Sequence, residues 1–341
     1  MKEPLVSVNV VVYNEENRIR QCLASIKEQT YKNLELTLFD NNSADDTVKI
    51  VKKEYPEFRR IESKENFGFG GGHNRCIDQT KGKYILAVPA DALLEKHFIE
   101  RAVAIMEKDE KIGALQAKVY HLAKTEKTNI IDTTGFEIFR SRRVINRGHG
   151  KEDIGQFEHA QEIFSYEGAV PFWRRVALYE SKILGQYHDE DYFWYGDDID
   201  LGWRMRLFGW KSFYTPDVIA YHERQTTHRL SSGYRDFITL RKTIPLKKRR
   251  LDWQNLHFTF LKNDFFFSWL KDFPLLSFMK AFPYIFIREI KFFLYILFFE
   301  PALLMALPGM IRLLPRMLKK RFIIMRRKKI PSSQMEQWFL H

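Results

Sequence analysis

Val6–Val12 is a short, mostly β-branched apolar run, and shortly after it Ile19, Cys22, Leu23 and Ile26 recur at i, i+3, i+4 and i+7. The first pattern is that of a buried strand, the second that of one apolar helix stripe. The polar residues Asn14–Asn17 between them are suited to capping the helix. The pair then repeats. Glu35–Phe39 reads as a second strand, the turn-like Asp40-Asn41-Asn42-Ser43 follows, and Val48, Val51 and Tyr55 mark a second helix. Tyr84–Val88 is another strand, closely preceded by Lys81-Gly82. Strands alternating with helices at this spacing need crossover connections and so run parallel. The expectation is an α/β fold, a mostly parallel sheet with helices on both faces. No fixed-period repeat is visible. From about residue 112 the regularity fades, and Asp132 to Gly150 reads as a loop-rich insertion; apolar order returns at Ile163–Val170 and continues to about Ala220.

At 341 residues, 45% hydrophobic and 29% charged, the chain has enough apolar material for two or three packed units, and wholesale disorder is excluded. Two cysteines, Cys22 and Cys76, make neither a disulfide scaffold nor a four-cysteine metal site, and they fit a reducing compartment. The N-terminus shows no long apolar run ending in a small-residue cleavage site, so no signal peptide is expected.

The net charge of +12 is unevenly spread: residues 241–341 hold 20 Lys/Arg and 6 Asp/Glu, against 35 and 37 in the remainder. Fifteen of the 29 Phe lie in the last 91 residues. A segment both basic and Phe-rich suits an anionic membrane surface. Nucleic acid is not the expected partner, because the aromatics come in apolar runs such as Phe265-Phe266-Phe267 and Phe292-Phe293 instead of alternating with Lys and Arg. Phe292–Ile311 is 20 residues long with one charge, Glu300, and prolines at 301 and 308. A span needs roughly 20 apolar residues, and a carboxylate near its middle costs about 2.5–3.5 kcal/mol on insertion. Short amphipathic helices lying in the headgroup region are therefore favoured over a spanning helix or an ordinary buried subdomain. Lys319–Arg321 and Arg326–Lys329 would face anionic lipid. The run Lys247-Lys248-Arg249-Arg250 marks the boundary of this tail, and three units are expected: 1–110, 111–245 and 246–341.

Four constellations carry chemistry. Val12-Tyr13-Asn14-Glu15 follows the first strand, at the sheet end where ligands of open α/β folds bind. Asp40, closing the second strand, either accepts hydrogen bonds from a nucleobase or ribose or forms an Asx turn. The stretch Asn66-Phe67-Gly68-Phe69-Gly70-Gly71-Gly72-His73-Asn74 is a Gly-rich loop between two strands, neither a Walker loop nor a dinucleotide fingerprint. The fourth is dispersed: Pro89-Ala90-Asp91, Tyr195-Gly196-Asp197-Asp198-Ile199-Asp200 and Tyr221-His222-Glu223. Asp91 and His222 suit a hard divalent ion completed by phosphate oxygens and water, and Asp198 suits a general base. A metalloprotease reading of His222-Glu223 fails because position 226 is Thr.

Taken in order, these blocks resemble glycosyltransferase family 2. The stretch VSVNVVVYNEENRIRQCLASIKEQTYKNLELTLFDNNSADDT is similar to that family's opening, ENFGFGGGHNRCID to its Asn-x-Gly-Phe-x-Gly-Gly loop, and YEGAVPFWRR and YFWYGDDIDLGWRMRLFGW to later blocks of bacterial rhamnosyltransferase-like members. The resemblance covers residues 5 to about 245, and the basic tail is similar to an extension some members carry.

The resemblance implies the A-type glycosyltransferase fold and inverting transfer of a sugar from a nucleotide-diphosphate donor. It places Tyr13, Asn14, Glu15 and Asp40 at the donor's nucleoside, and the loop with Asn66, Gly68, Gly71 and Asn74 at the floor of the nucleotide site. Asp198 falls at the catalytic base. Asp91 falls at the last acid of an Asp-x-Asp metal motif, His222 at a residue joining the metal or diphosphate, and Mg²⁺ or Mn²⁺ is the expected cofactor. One departure stands out: the first acid of that motif falls at Pro89. The expected acceptor is a lipid-linked saccharide, the setting cell-surface polysaccharide synthesis at the cytoplasmic face of the membrane. A catalytically impaired scaffold of the same fold is the alternative. A dehydrogenase is disfavoured because no Gly-x-Gly-x-x-Gly follows Val12.

Overall fold

A computed structural model describes residues 3–224, 241–264 and 275–340, the side chains of 275–278 excepted. The expected Phe265–Phe267 run lies outside the described residues. The chain opens with three strand–helix units: β1 (Val6–Val12), α1 (Ile19–Lys27), β2 (Leu34–Asp40), α2 (Thr47–Glu54), β3 (Arg59–Glu62) and α3 (Gly68–Gln79). They lead into β4 (Tyr84–Pro89), β5 (Ala92–Leu94), α4 (Phe98–Lys108) and β6 (Ile112–Ala123). All of β1 is buried, and so are Ile19, Cys22, Leu23 and Ile26 of α1, as the spacing demands. Burying such side chains stabilises a fold by about 1.5–3 kcal/mol each. Asn14–Asn17 do not cap α1: the helix begins after Arg18 without a side-chain cap, and Asn14 and Glu16 bond instead to the backbone N–H groups of Ala44 and Asp46.

β1, β2, β3 and β4 are all parallel, with β1 between β2 and β4. The order of strands therefore reverses at β1, and the crevice at the C-terminal ends of β1 and β4 is the topological switch point. Beyond it the sheet is mixed. After β7 (Glu126–Thr133), β8 (Phe136–Phe139), β9 (Val144–Asn146) and β10 (Gln161–Ile163), strand β11 (Phe172–Arg174) inserts antiparallel between β4 and β6. Then come α5 (Arg175–Glu180), α6 (Asp197–Leu207) and β12 (Lys211–His222), the last parallel to β6. One core lies between the sheet and α1, α2 and α4; a second, with Ile77, Trp173, Leu178, Leu201 and Met205, lies under α3, α5 and α6. Helices thus cover both faces. The stretch expected as a loop-rich insertion contains β8 and β9, which form a small sheet with the chain's last strand, β13 (Phe339–Leu340).

The C-terminal segment is helical: α7 (Leu246–Asn263), α8 (Leu275–Phe299), a 3-10 turn (Pro301–Ala306) and α9 (Leu307–Arg327). It is not detached from the sheet domain. Phe260, Ile324, Met325 and Phe339 share a core with Ile199, Trp203 and Leu207 of α6. Lys247–Arg250, expected as a boundary, forms the first turn of α7. Phe292–Ile311 is not one continuous helix, because α8 ends at Phe299. Buried Glu300 is held there by Arg241 at 2.7 Å, Arg249 at 2.9 Å and the Tyr295 hydroxyl at 2.6 Å. Among the described residues the stretch long and apolar enough to cross a membrane is Pro301–Arg327, 27 residues. Most exposed large apolar side chains among the described residues fall between Met279 and Phe322 on α8 and α9.

Candidate active site at the switch point

The register sets the donor side of the crevice. Val12 pairs with Asp40 and Val11 with Pro89, so Tyr13–Glu15, Asp40 and Asp91 line one edge of the sheet. Tyr13 is half exposed there. The Asn14 backbone, at φ 57°, places its N–H on the Ser43 hydroxyl at 2.9 Å. Buried Asp40 accepts the Ser43 N–H at 3.1–3.2 Å, the Asx-turn geometry. Burial, then the Asp91 charge, lifts the Glu15 carboxyl to about 7 against the opposing pull of Arg18.

The glycine stretch differs from expectation. It is not a loop: Gly68 opens α3. A Cβ at Gly68 would lie 1.9 Å from the Phe193 carbonyl oxygen, one at Gly70 would lie 2.8 Å from the His188 Cβ, and one at Gly71 would press on its own helix turn at Phe67. The Asn74 amide is engaged by the His188 backbone and by Glu190, at 2.9 Å each. Gly68, Gly70 and Asn74 therefore pack a helix start against the segment before α6, and Asn74 is committed to protein partners. Asn66 caps the Gly68 N–H at 2.8 Å. Asn41, read from the sequence only as part of the turn after the second strand, joins the end of β2 to this helix: its amide accepts the Phe67 N–H at 3.0 Å and donates to the Gly68 carbonyl at 3.1 Å.

Asp91 and His222, far apart in sequence, meet because β5 pairs antiparallel with β12, Ala92 opposite His222. The His222 Nε2 lies 3.3 Å from Asp91, and its Nδ1 lies 2.9 Å from Asp132. Arg224 bridges Asp132 at 2.5 Å and Glu167 at 2.8 Å. On the outer side Glu223 holds Arg18 at 2.6 Å. Burial alone would lower the His222 pKa, but Asp91 and Asp132 override it and raise it to about 10 when no metal is bound; an ion bound at Nε2 would take the place of the proton shared with Asp91. Burial would raise the Asp91 and Asp132 carboxyls; His222 holds the first below its usual range, and Arg224, with His149 and His222, holds the second well below.

Asp198 sits at the first turn of α6, partly exposed, and accepts the Gly168 N–H at 3.0 Å and the Ile199 N–H at 2.7 Å. Burial, then Asp197 and Glu167, pushes its carboxyl up to about 8, despite those two donors. A group poised near neutrality suits proton abstraction. Its neighbour Asp197 is buried and turned toward the His188 Nδ1 at 3.0 Å. Asp132, Glu167 and Arg224 were missed by sequence reasoning. Glu167 lies in the Tyr-Glu-Gly-Ala block; Asp132 and Arg224 carry no local signal.

Among the described residues no cluster of three or more His, Cys, Asp and Glu surrounds a metal position. Asp91 and His222 nonetheless fit a hard divalent ion. Such ions are bound through one or two protein ligands plus substrate phosphates, and Asp132 already orients the His222 ring in the manner of an outer-shell carboxylate.

Residues 7–164 match the family model described as "Glycosyl transferase family 2". An uncharacterized glycosyltransferase of Haemophilus influenzae is 35% identical over 115 residues, which is 33% of this chain and 36% of that protein. A chondroitin synthase of Escherichia coli is 32% identical over 114 residues, 33% of this chain and 17% of that protein. The matched segment thus spans well under half the length of these relatives. The crystal structure of GalNAc-T7 with UDP, GalNAc and Mn²⁺ superposes over 82% of this chain and 54% of that one, with a TM-score of 0.56 at 14% identity. That is a likeness of fold.

Proposed function

Because the chain belongs to glycosyltransferase family 2 through residues 7–164, we propose that it transfers a sugar from a nucleotide-diphosphate donor to a hydroxyl acceptor with inversion at the anomeric carbon. The observation that carries this reading is the unbroken run of contacts from Asp91 through His222, Asp132, Arg224 and Glu167 to the neighbourhood of Asp198. It joins a phosphate-side group at the switch point to a carboxyl held near neutrality. Tyr13, Asn14, Glu15 and Asp40 hold the nucleoside along the sheet edge, with Asn66 at the start of α3. The Asp198 carboxylate takes the acceptor's proton as the acceptor oxygen attacks the anomeric carbon. The bond from that carbon to the diphosphate oxygen breaks on the opposite face, and the electron pair leaves with the diphosphate. On this reading Arg18, held by Glu223, and Arg224, held by Asp132 and Glu167, are the cations that balance that charge. A Mg²⁺ or Mn²⁺ ion, when bound by Asp91 and His222, neutralises charge on the diphosphate.

The exposed apolar surface of α8 and α9, with Lys280, Lys291, Arg312, Arg316 and Lys319 exposed on the same helices, fits an anionic membrane. On this reading the enzyme lies on the cytoplasmic face, and its acceptor is a lipid-linked saccharide in polysaccharide synthesis. The test is a thermal-shift panel of nucleotide sugars with and without Mg²⁺ or Mn²⁺. The cognate donor raises the melting temperature by mass action, more with metal. A panel without any shift, in a chain that transfers no sugar, would contradict the proposal.

A further inference from the structure

The segment that delivers Asp198 is held in an uncommon backbone conformation. Three residues in the five before the helix lie in the left-handed region: Phe193 at φ 59°, Tyr195 at φ 65° and Gly196 at φ 76°. Such angles cost non-glycine residues free energy and persist only where the surroundings impose them. On one side the loop is pressed by α3, where only a glycine at position 68 leaves room for the Phe193 carbonyl. On the other side lies α7. Its Asn255, fully buried, donates from Nδ2 to three loop carbonyls: Tyr192 at 3.0 Å, Trp194 at 2.9 Å and Tyr195 at 2.8 Å. Two amide protons are thus shared among three acceptors of one short turn. Gly196 lies against the same residue, since a Cβ there would come within 3.3 Å of the Asn255 Cβ.

The rest of that helix face repeats the arrangement. The Tyr192 hydroxyl and the Thr259 hydroxyl are 3.0 Å apart. Lys262 pairs with Asp189 and, at 2.9 Å, with Asp200. Asn255, Thr259 and Lys262 recur at i, i+4 and i+7, so α7 buries a polar stripe against this segment, flanked by Phe258 and Phe260. An apolar stripe would supply packing without direction; this one supplies directed bonds to backbone atoms.

We propose that Asn255 is a positioning residue for sugar transfer: it clamps the Tyr192–Gly196 turn so that Asp198 meets the acceptor, making α7 part of the catalytic apparatus. This rests on Asp198 being the base. Asn255 acts on the carboxylate through the backbone and does not touch substrate.

The experiment compares wild type, Asn255→Ala, the near-isosteric Asn255→Asp, and Gly196→Ala, which disturbs the clamp from the loop side should the Asn255 variants fold poorly. Steady-state transfer is measured per folded molecule, together with amide hydrogen exchange of the peptide covering Phe193–Asp198. The expected result is a kcat lowered tenfold or more, a donor KM within twofold of wild type, and exchange faster in that peptide than in the β1–β4 strands. Unchanged kcat per folded molecule with a lowered melting temperature would make Asn255 merely structural and overturn the proposal. Full activity of Asp198→Asn would overturn the reading of the base, and the exchange data would still report whether the clamp exists. The two failures are therefore separable.

Discussion

Two groups of acids stand a few residues apart in sequence and differ in the charge that faces them. Asp189 and Asp200 are buried; Lys262 of α7 meets both, Lys320 of α9 meets Asp189 and Arg204 meets Asp200, and the two lysines hold the Asp189 carboxyl well below its usual range against its burial. Asp198 is pushed up to about 8 by burial first and then by two other acids, Asp197 and Glu167. The paired group fixes the tail helices to the sheet domain, while the crowded group retains a proton that can be exchanged near neutrality. Burial alone therefore does not mark a reactive acid; the sign of the neighbours does.

The two groups contribute to stability in opposite senses. Asp198, with its folded pKa raised, binds more protons folded than unfolded, so stability falls as pH rises from about 4 toward 8. Asp189, with its pKa depressed, contributes stability present above the unfolded value of about 3.9 and lost as pH falls. Asp198→Asn should lower transfer by about 10²–10⁴, leave the donor-induced thermal shift intact, and flatten the decline in melting temperature toward alkaline pH. A steep loss of stability on this substitution would put Asp198 in the structural group. Conversely, Lys262→Met removes the cation that Asp189 and Asp200 share and leaves them Lys320 and Arg204 respectively, so it should cost about 1–3 kcal/mol, read by urea denaturation. A cost below about 1 kcal/mol would mean that the pairing contributes no more than a surface ion pair.

Smaller effects sharpen the same contrast. Asp91→Ala should weaken metal-dependent donor binding by about tenfold or more while sparing metal-free binding, measured by calorimetry with and without Mn²⁺. Equal loss in both conditions would remove the metal role from Asp91. On the far side of the tail, replacing exposed Arg312 and Lys319 by Ser should weaken co-sedimentation with anionic vesicles by about 1 kcal/mol each and leave neutral vesicles unaffected. Equal binding to both vesicle types would remove the electrostatic part.

Much of the sheet was legible because its signals are local. The i, i+3, i+4, i+7 stripe of α1 and the β-branched run of β1 are buried where the pattern put them. The glycine stretch misled because glycine opposes helix by about 1 kcal/mol per residue relative to alanine. Close approach to His188 and Phe193 outweighs that preference, and nothing near position 68 announces a neighbour 125 residues away. Asp198 was visible through its acidic block; Asp132, Glu167 and Arg224 come from segments that only the tertiary fold brings together. In α7 polarity does not separate the solvent face from the buried one, because Asn255, Thr259 and Lys262 are buried together with Phe258 and Phe260.

The central claim is that Asp198, held near neutrality by burial and by Asp197 and Glu167, is the group that takes the acceptor's proton. The pH dependence of kcat, measured with the donor that the thermal-shift panel selects, tests it most directly. The account predicts a rate that rises with pH through an apparent pKa of about 8, with Asp198→Asn lacking that limb. A wild-type rate flat between about pH 6 and 9, or an Asp198→Asn variant that keeps the limb with more than about a tenth of the turnover, would contradict it.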